Sequence, residues 1–213
     1  MRPSGRIGQT LGQVTKATAH DRAPDDRPLQ AAARLFREQG YAGTSLRDIA
    51  RAAGMLPGSL HYRYPTKEDI LAALMERAID RLIDSIRAAT AASTDPLERV
   101  RLAIVEHVRI LLSREDSVYV LLYDWRSLSP AAERAIARHR RRYEQFADEL
   151  IEQSAAHSPV RPGVDLYLLR QFGFGAANWV AQWFDPKGPY TPEQIADAFF
   201  RYLTLGTLRS EGA

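Results

Sequence analysis

From Pro28 onward the apolar residues of this chain recur at helical spacing, and each recurrence is bracketed by residues that start or stop a helix. This punctuation restricts the fold more than any other feature. Leu29, Ala32, Ala33 and Phe36 follow i, i+3, i+4, i+7 spacing behind a proline suited to a first turn, and Gly40 stops the run. Ser45 caps a second helix that buries Leu46, Ile49, Ala50 and Ala53, with Asp48 three residues on as in a capping box. Gly54 ends it, Pro57 opens a third through Leu60, and Pro65 closes that one. Thr66 caps a fourth, with Glu68 and Asp69 in its first turn and Ile70, Leu71, Leu74, Ala78 and Leu82 on one side.

The same grammar continues to the end of the chain. Asp95-Pro96 starts a helix with Leu97, Val100, Ile104, Val108 and Leu111 on one stripe, and a short apolar piece runs from Val118 to Tyr123. Ser129-Pro130 leads into a long helix to residue 157, residues 164–184 are apolar on both sides, and Thr191-Pro192-Glu193 opens the last helix. No segment alternates as a strand does. The expectation is an all-α protein of about nine helices. Its parts are a tail over 1–27, a three-helix unit over 28–74 and a larger helical unit over 75–213. The tail lacks hydrophobic periodicity and is expected to be flexible. Its basic residues, Arg2, Arg6 and Lys16, could touch DNA phosphates as a loose arm, but they are sparse, and a tail with no role in binding is the plainer reading.

The charge is uneven. The 213 residues carry a net +3, yet residues 27–67 alone carry Arg27, Arg34, Arg37, Arg47, Arg51, Arg63 and Lys67 against Glu38 and Asp48. A basic segment on a slightly acidic body fits a phosphate-facing module, and a solvated charged face reads equally well from charge alone. Within it, Ser45 to Leu60 has the layout of a helix-turn-helix. Ala50 is small where two helices must approach, Gly54 can take the positive φ of the turn, and Ile49, Met55 and Leu60 form a mini-core.

A longer motif is more specific. Gly58, Leu60, Lys67, Glu68 and Leu71, with the upstream run Gly40-Tyr41, Thr44-Ser45, Arg47-Asp48-Ile49-Ala50 and Ala53-Gly54, resemble the DNA-binding domain of TetR-family regulators over residues 28–75. The chain departs from that pattern with His61 in place of Tyr, Arg63 in place of His and Tyr64 in place of a buried Phe. The resemblance implies a DNA-binding domain over 28–74, an effector-binding and dimerisation domain over 75–213, and double-stranded operator DNA as partner. It assigns Arg47 to a base edge or phosphate, and Pro57, Gly58 and Ser59 to the start of the recognition helix. His61, Tyr62 and Arg63 would grip the backbone, Thr44 and Ser45 would offer hydroxyls and helix-start N–H groups, and Lys67 would bind phosphate.

The family resemblance also implies a homodimer built from the last two helices, with Phe172, Ala176, Trp183, Phe199, Tyr202 and Leu203 as interface candidates. The segment from Trp183 to Ile195 is similar to one subgroup, which includes actinobacterial repressors of sterol catabolism with CoA thioester effectors. On that reading Arg142, with Arg138, Arg140 and Arg141, forms a basic mouth over an apolar pocket that includes Phe146. His107, Tyr123, Trp125, Arg126 and Trp179 complete the candidate pocket. The plainer alternatives are a solvated arginine face beside Glu133, Glu144 and Asp148, and a core histidine at 107.

Catalysis is not expected. The five histidines lack metal-ligand spacing, and there is no phosphate-binding glycine loop or nucleophile motif, so neither metal nor cofactor is implied. The chain has no cysteine, no signal-peptide core and no apolar run long enough to span a bilayer, which fits a cytoplasmic protein with no membrane partner. The competing class is a helical acyl-binding or interaction protein whose N-terminal corner does not read DNA.

Overall fold

The computed structural model describes residues 25–207, among which there are nine α-helices, one short 3-10 turn and no strand. Most of the tail expected over 1–27, with Arg2, Arg6 and Lys16, lies outside the described residues. Its last residues do not behave as a tail: Asp26 pairs with Arg77 and Arg81, and the first helix begins at Arg27.

The helices are α1 (Arg27–Gly43), α2 (Leu46–Ala52), α3 (Pro57–Arg63), α4 (Lys67–Thr90) and α5 (Pro96–Leu111). After them come α6 (Asp116–Tyr123), the 3-10 turn Asp124–Ser127, α7 (Pro130–His157), α8 (Leu166–Trp183) and α9 (Pro192–Thr207). Their starts are chemically specified. Ser45 with Asp48, and Thr66 with Asp69, form reciprocal capping boxes, while Asp95, Ser129 and Asp165 accept from first-turn N–H groups. Each such cap is worth about 1 kcal/mol. At Gly40 (φ 77°, ψ 157°) the regular part of α1 stops, and one redirected turn carries the chain to Gly43. Glycine reaches that φ without the steric cost of a β-carbon.

α4 is the spine. Its first half supplies Ile70, Leu71, Leu74 and Met75 to a core shared with Phe36, Ile49 and Leu60 of the first three helices. Val120 of α6 and Ile136 of α7 close the same core. The second half of α4 gives Leu82 and Ile86 to a separate cluster with Phe146 and Leu150 of α7. A third cluster joins Val108 of α5, Val180 of α8 and Ala196 of α9. The N-terminal unit therefore rests on the same continuous rod that lines the C-terminal bundle. α6 is tied to α1 as well, because Arg37 pairs with Asp116 at 2.9 Å and donates to the Arg114 carbonyl.

Candidate DNA interface and effector cavity

The turn between α2 and α3 is built around Gly54 (φ 65°), after which the Met55 N–H donates to the Ala50 carbonyl at 2.9 Å. Ile49, Ala50 and Leu60 are fully buried and set the angle between the two helices. That packing turns Pro57, Gly58, Ser59, His61, Tyr62 and Arg63 to solvent, with Tyr62 93% exposed. Arg47 is exposed too and makes no hydrogen bond or ion pair with any described residue. Arg63 spends one N–H on the Asp25 carbonyl at 2.8 Å and lies over the Tyr64 ring. Tyr64 packs against the first core, as its match to a buried Phe implies.

Three of the candidate DNA contacts are occupied internally. Thr44 is 2% exposed and its hydroxyl donates to the Gly40 carbonyl at 2.9 Å, so it is not free for a phosphate. The Lys67 ammonium donates to the Tyr41 carbonyl at 2.6 Å and the Thr44 carbonyl at 2.8 Å, and sits 4.3 Å from the centre of the Tyr41 ring. It closes the end of α1 instead of projecting outward. The Ser45 hydroxyl is held by the Asp48 carboxylate at 2.5 Å, which keeps Asp48 below the usual carboxylate range.

The C-terminal bundle holds a partly open cavity of about 130 Å³ lined by α4, α5, α7, α8 and α9. Its walls are mostly apolar: Ile86, Leu97 and Phe146 on one side, Phe174, Phe199 and Leu203 on the other. The polar groups are few and local. His107 and Tyr143 both line it, with the tyrosine hydroxyl 2.7 Å from His107 Nδ1 and the Asn178 side-chain oxygen 3.2 Å from Nε2. Because that amide oxygen only accepts, Nε2 carries the proton and Nδ1 accepts from Tyr143. Burial depresses His107 to about 4 and raises Tyr143, so both stay neutral near pH 7. The His107, Tyr143 and Phe174 rings stack nearly parallel.

The cation of this cavity is Arg170, which sequence reasoning missed. It is 5% exposed; its Nε donates to Asp148 at 2.6 Å and its guanidinium lies 5.3 Å from the Tyr167 ring centre and 5.8 Å from that of Phe174. Its Nη1 is buried and lies 4.0 Å from Glu144, too far for a hydrogen bond, so among the described residues that donor is unsatisfied.

Of the candidate pocket residues, the cavity contains only His107 and Phe146. Arg142 pairs with Asp80 at 2.9 Å and stands, like Arg138, Arg140 and Arg141, on the outward face of α7, so the solvated-face alternative describes these arginines. The Tyr123 hydroxyl accepts from Gln182, and Trp125 packs on the first core beneath Arg126. Trp179 is 65% exposed. It belongs to an apolar stripe, exposed among the described residues, with Phe172, Ala176 and Trp183 of α8 and with Tyr202 and Leu205 of α9. Phe199 and Leu203 were interface candidates, but the helical phase of α9 turns them into the cavity. Among the described residues no cluster of acidic, His or Cys side chains can hold a metal, and no helix is long and apolar enough to cross a membrane.

This arrangement has relatives. Residues 29–74 match the family model described as bacterial regulatory proteins, tetR family, and residues 93–207 match the one described as tetracyclin repressor-like, C-terminal domain. The chain belongs to the TetR family. It is therefore a DNA-binding transcriptional regulator and not an enzyme, which sets aside the competing class of helical proteins that do not read DNA.

Three similar proteins carry different names. The repressor KstR2 of Mycolicibacterium smegmatis is 26% identical over 190 residues, covering 88% of this chain and 92% of that protein. The crystal structure of AibR in complex with isovaleryl coenzyme A and operator DNA superposes with a TM-score of 0.72 at 26% identity, covering 84% of this chain and 96% of that one. The superantigen PfiT superposes with a TM-score of 0.77 at 31% identity, covering 88% and 97%. One fold thus carries differently named activities, and this TetR-family protein's effector has to be argued from its own cavity.

Proposed function

We propose that the protein is a homodimeric repressor that leaves a palindromic operator when an acyl-CoA thioester enters the cavity. The observation that carries this reading is the continuity of α4: Ile86 lines the cavity, while Ile70 and Leu71 on the same helix are core residues of the helix-turn-helix. A ligand that fits better when α4 is displaced favours the displaced state by its differential affinity, and two displaced α4 helices change the spacing of two recognition helices. The chemistry of the cavity supports an acyl group flanked by one polar head. Its walls are apolar, its His and Tyr are neutral, and Arg170 holds an unsatisfied donor for a carbonyl or anionic oxygen. The similar AibR, whose structure is in complex with isovaleryl coenzyme A and operator DNA, supports the same class, and the name of KstR2 supports a repressor.

The dimer reading rests on the stripe on α8 and α9. Several large apolar side chains on one face, with Ala176 permitting close approach, fit a two-fold four-helix contact. Two copies supply the two half-sites that a single short reading helix needs. A protein that works on an operator works in the cytoplasm. The deciding experiment is gel-shift release of the operator by a panel of CoA thioesters and free acids. Release by one acyl length or ring class of thioester is the expected result. Indifference to every thioester, with release by an unrelated apolar molecule, discards the CoA reading and keeps the regulator.

A further inference from the structure

α3 starts without a side-chain cap. Its N-cap position is Leu56, in extended conformation, and no side chain accepts from the first turn. The helices on either side, α2 and α4, each carry a reciprocal capping box. This chain therefore caps its neighbours and leaves the reading helix with a residue that cannot cap. Leu56 is also 75% exposed and belongs to none of the three core clusters, although adjacent Met55 packs on the first of them. It contributes neither a cap nor core packing, and it leaves an apolar side chain in water.

The surroundings of Leu56 favour nucleic acid over another apolar protein surface. Exposed Ser59 is one turn along, Arg63 ends the same helix, and exposed Arg47 and Arg51 stand on α2. The helix-turn-helix lays the N-terminal end of α3, where Leu56 sits, against base edges in the major groove. Among those hydrogen-bonding edges the thymine C5-methyl is the apolar group. We propose that Leu56 is a base-reading residue that packs on a thymine methyl in each operator half-site. The proposal rests on α3 being the recognition helix.

The test uses the full-length protein to enrich duplexes from a random pool. The recovered site is remade with deoxyuridine in place of one thymine at a time, which removes only the methyl group. Binding is measured for the unaltered protein and for Leu56→Ala. At one thymine per half-site the unaltered protein is expected to lose about fourfold in affinity, the value of one buried methyl group. Leu56→Ala should bind more weakly to the thymine site and lose no further affinity at that position. Because Leu56 is exposed, its melting temperature should not change. Equal uracil sensitivity in Leu56→Ala overturns the proposal, as does indifference of the unaltered protein to every uracil. A Leu56→Ala protein altered only in oligomeric state overturns it in favour of a protein contact. Recovery of no duplex would instead overturn the recognition-helix reading, and this inference with it.

Discussion

The ammonium of Lys67, the first residue of α4, lies 2.8 Å from the carbonyl oxygen of Thr44, the residue that ends α1. A second bond to Tyr41 and the face of the Tyr41 ring complete its surroundings. One side chain thus ties the start of the spine to the turn that enters the helix-turn-helix. Replacing it with alanine leaves two carbonyls to water or to nothing, at a cost of about 1–2 kcal/mol. Urea denaturation should show that loss for Lys67→Ala. The slope of operator affinity against salt concentration should stay the same, whereas a phosphate contact would lower it by about one.

Arg47 has the opposite character. It is exposed and unengaged, so its removal leaves folding untouched. Arg47→Ala should reduce discrimination at one base pair per half-site by about 1–3 kcal/mol if the contact is a bidentate guanine pair. Competition binding against single-base operator variants measures this. A uniform loss across all variants would reassign Arg47 to phosphate.

How much of this was legible depends on where each signal resides. Helix starts are local chemistry, so Ser45, Thr66, Ser129 and the prolines at 57, 96, 130 and 192 could be read directly from the sequence. The inter-helix turn was legible because Gly54 and Ala50 have few other uses. The cavity was not. Both faces of α8 are apolar, and sequence does not say which one meets the interior: Phe174 and Ala177 do, Phe172 and Trp179 do not. Arg170 was hidden for a related reason. A lone arginine in an apolar helix looks like an edge residue until the chain brings Asp148 beneath it, while the conspicuous arginine run of α7 turned out to face water.

The stripe on α8 predicts an oligomeric switch. Trp179 is exposed in one chain and, in the proposed dimer, sits in the middle of the contact. Trp179→Glu places a charge there, and two copies would face each other across the two-fold axis. Analytical ultracentrifugation should find a monomer, with helical content retained and operator affinity reduced by orders of magnitude. A Trp179→Glu protein that remains dimeric would move the interface elsewhere.

His107 makes stability depend on pH with a definite sign. It is buried and its folded-state pKa is about 4, well below the ordinary 6.5 of the unfolded chain. The unfolded state therefore binds the extra proton first. Stability from this group is full above pH 6.5, falls as the pH drops toward 4, and levels off below it. The total is on the order of 3 kcal/mol. His107→Phe should be less sensitive to pH across this window in urea denaturation. Between pH 6.5 and 8 effector release should be insensitive to this histidine's charge, since it carries none.

Arg170 separates a ligand anchor from a structural ion pair, because the two roles push stability and response in different directions. As a structural element it is expensive: a guanidinium 5% exposed, whose Nη1 bonds to no described residue, carries a desolvation cost that one bond to Asp148 does not fully offset. Replacing it with methionine removes the unsatisfied donor and keeps apolar volume, and Asp148 is exposed enough to be hydrated when left alone. Arg170→Met should therefore melt at the same temperature as the unaltered protein or higher, and bind operator equally well. The response should suffer. A charge-assisted hydrogen bond to a carbonyl or anionic oxygen is worth about 1.5–3 kcal/mol, so half-release of the operator should need about ten to a hundred times more effector. A lower melting temperature with unchanged effector sensitivity would make Arg170 a structural residue and leave the cavity without its proposed polar anchor.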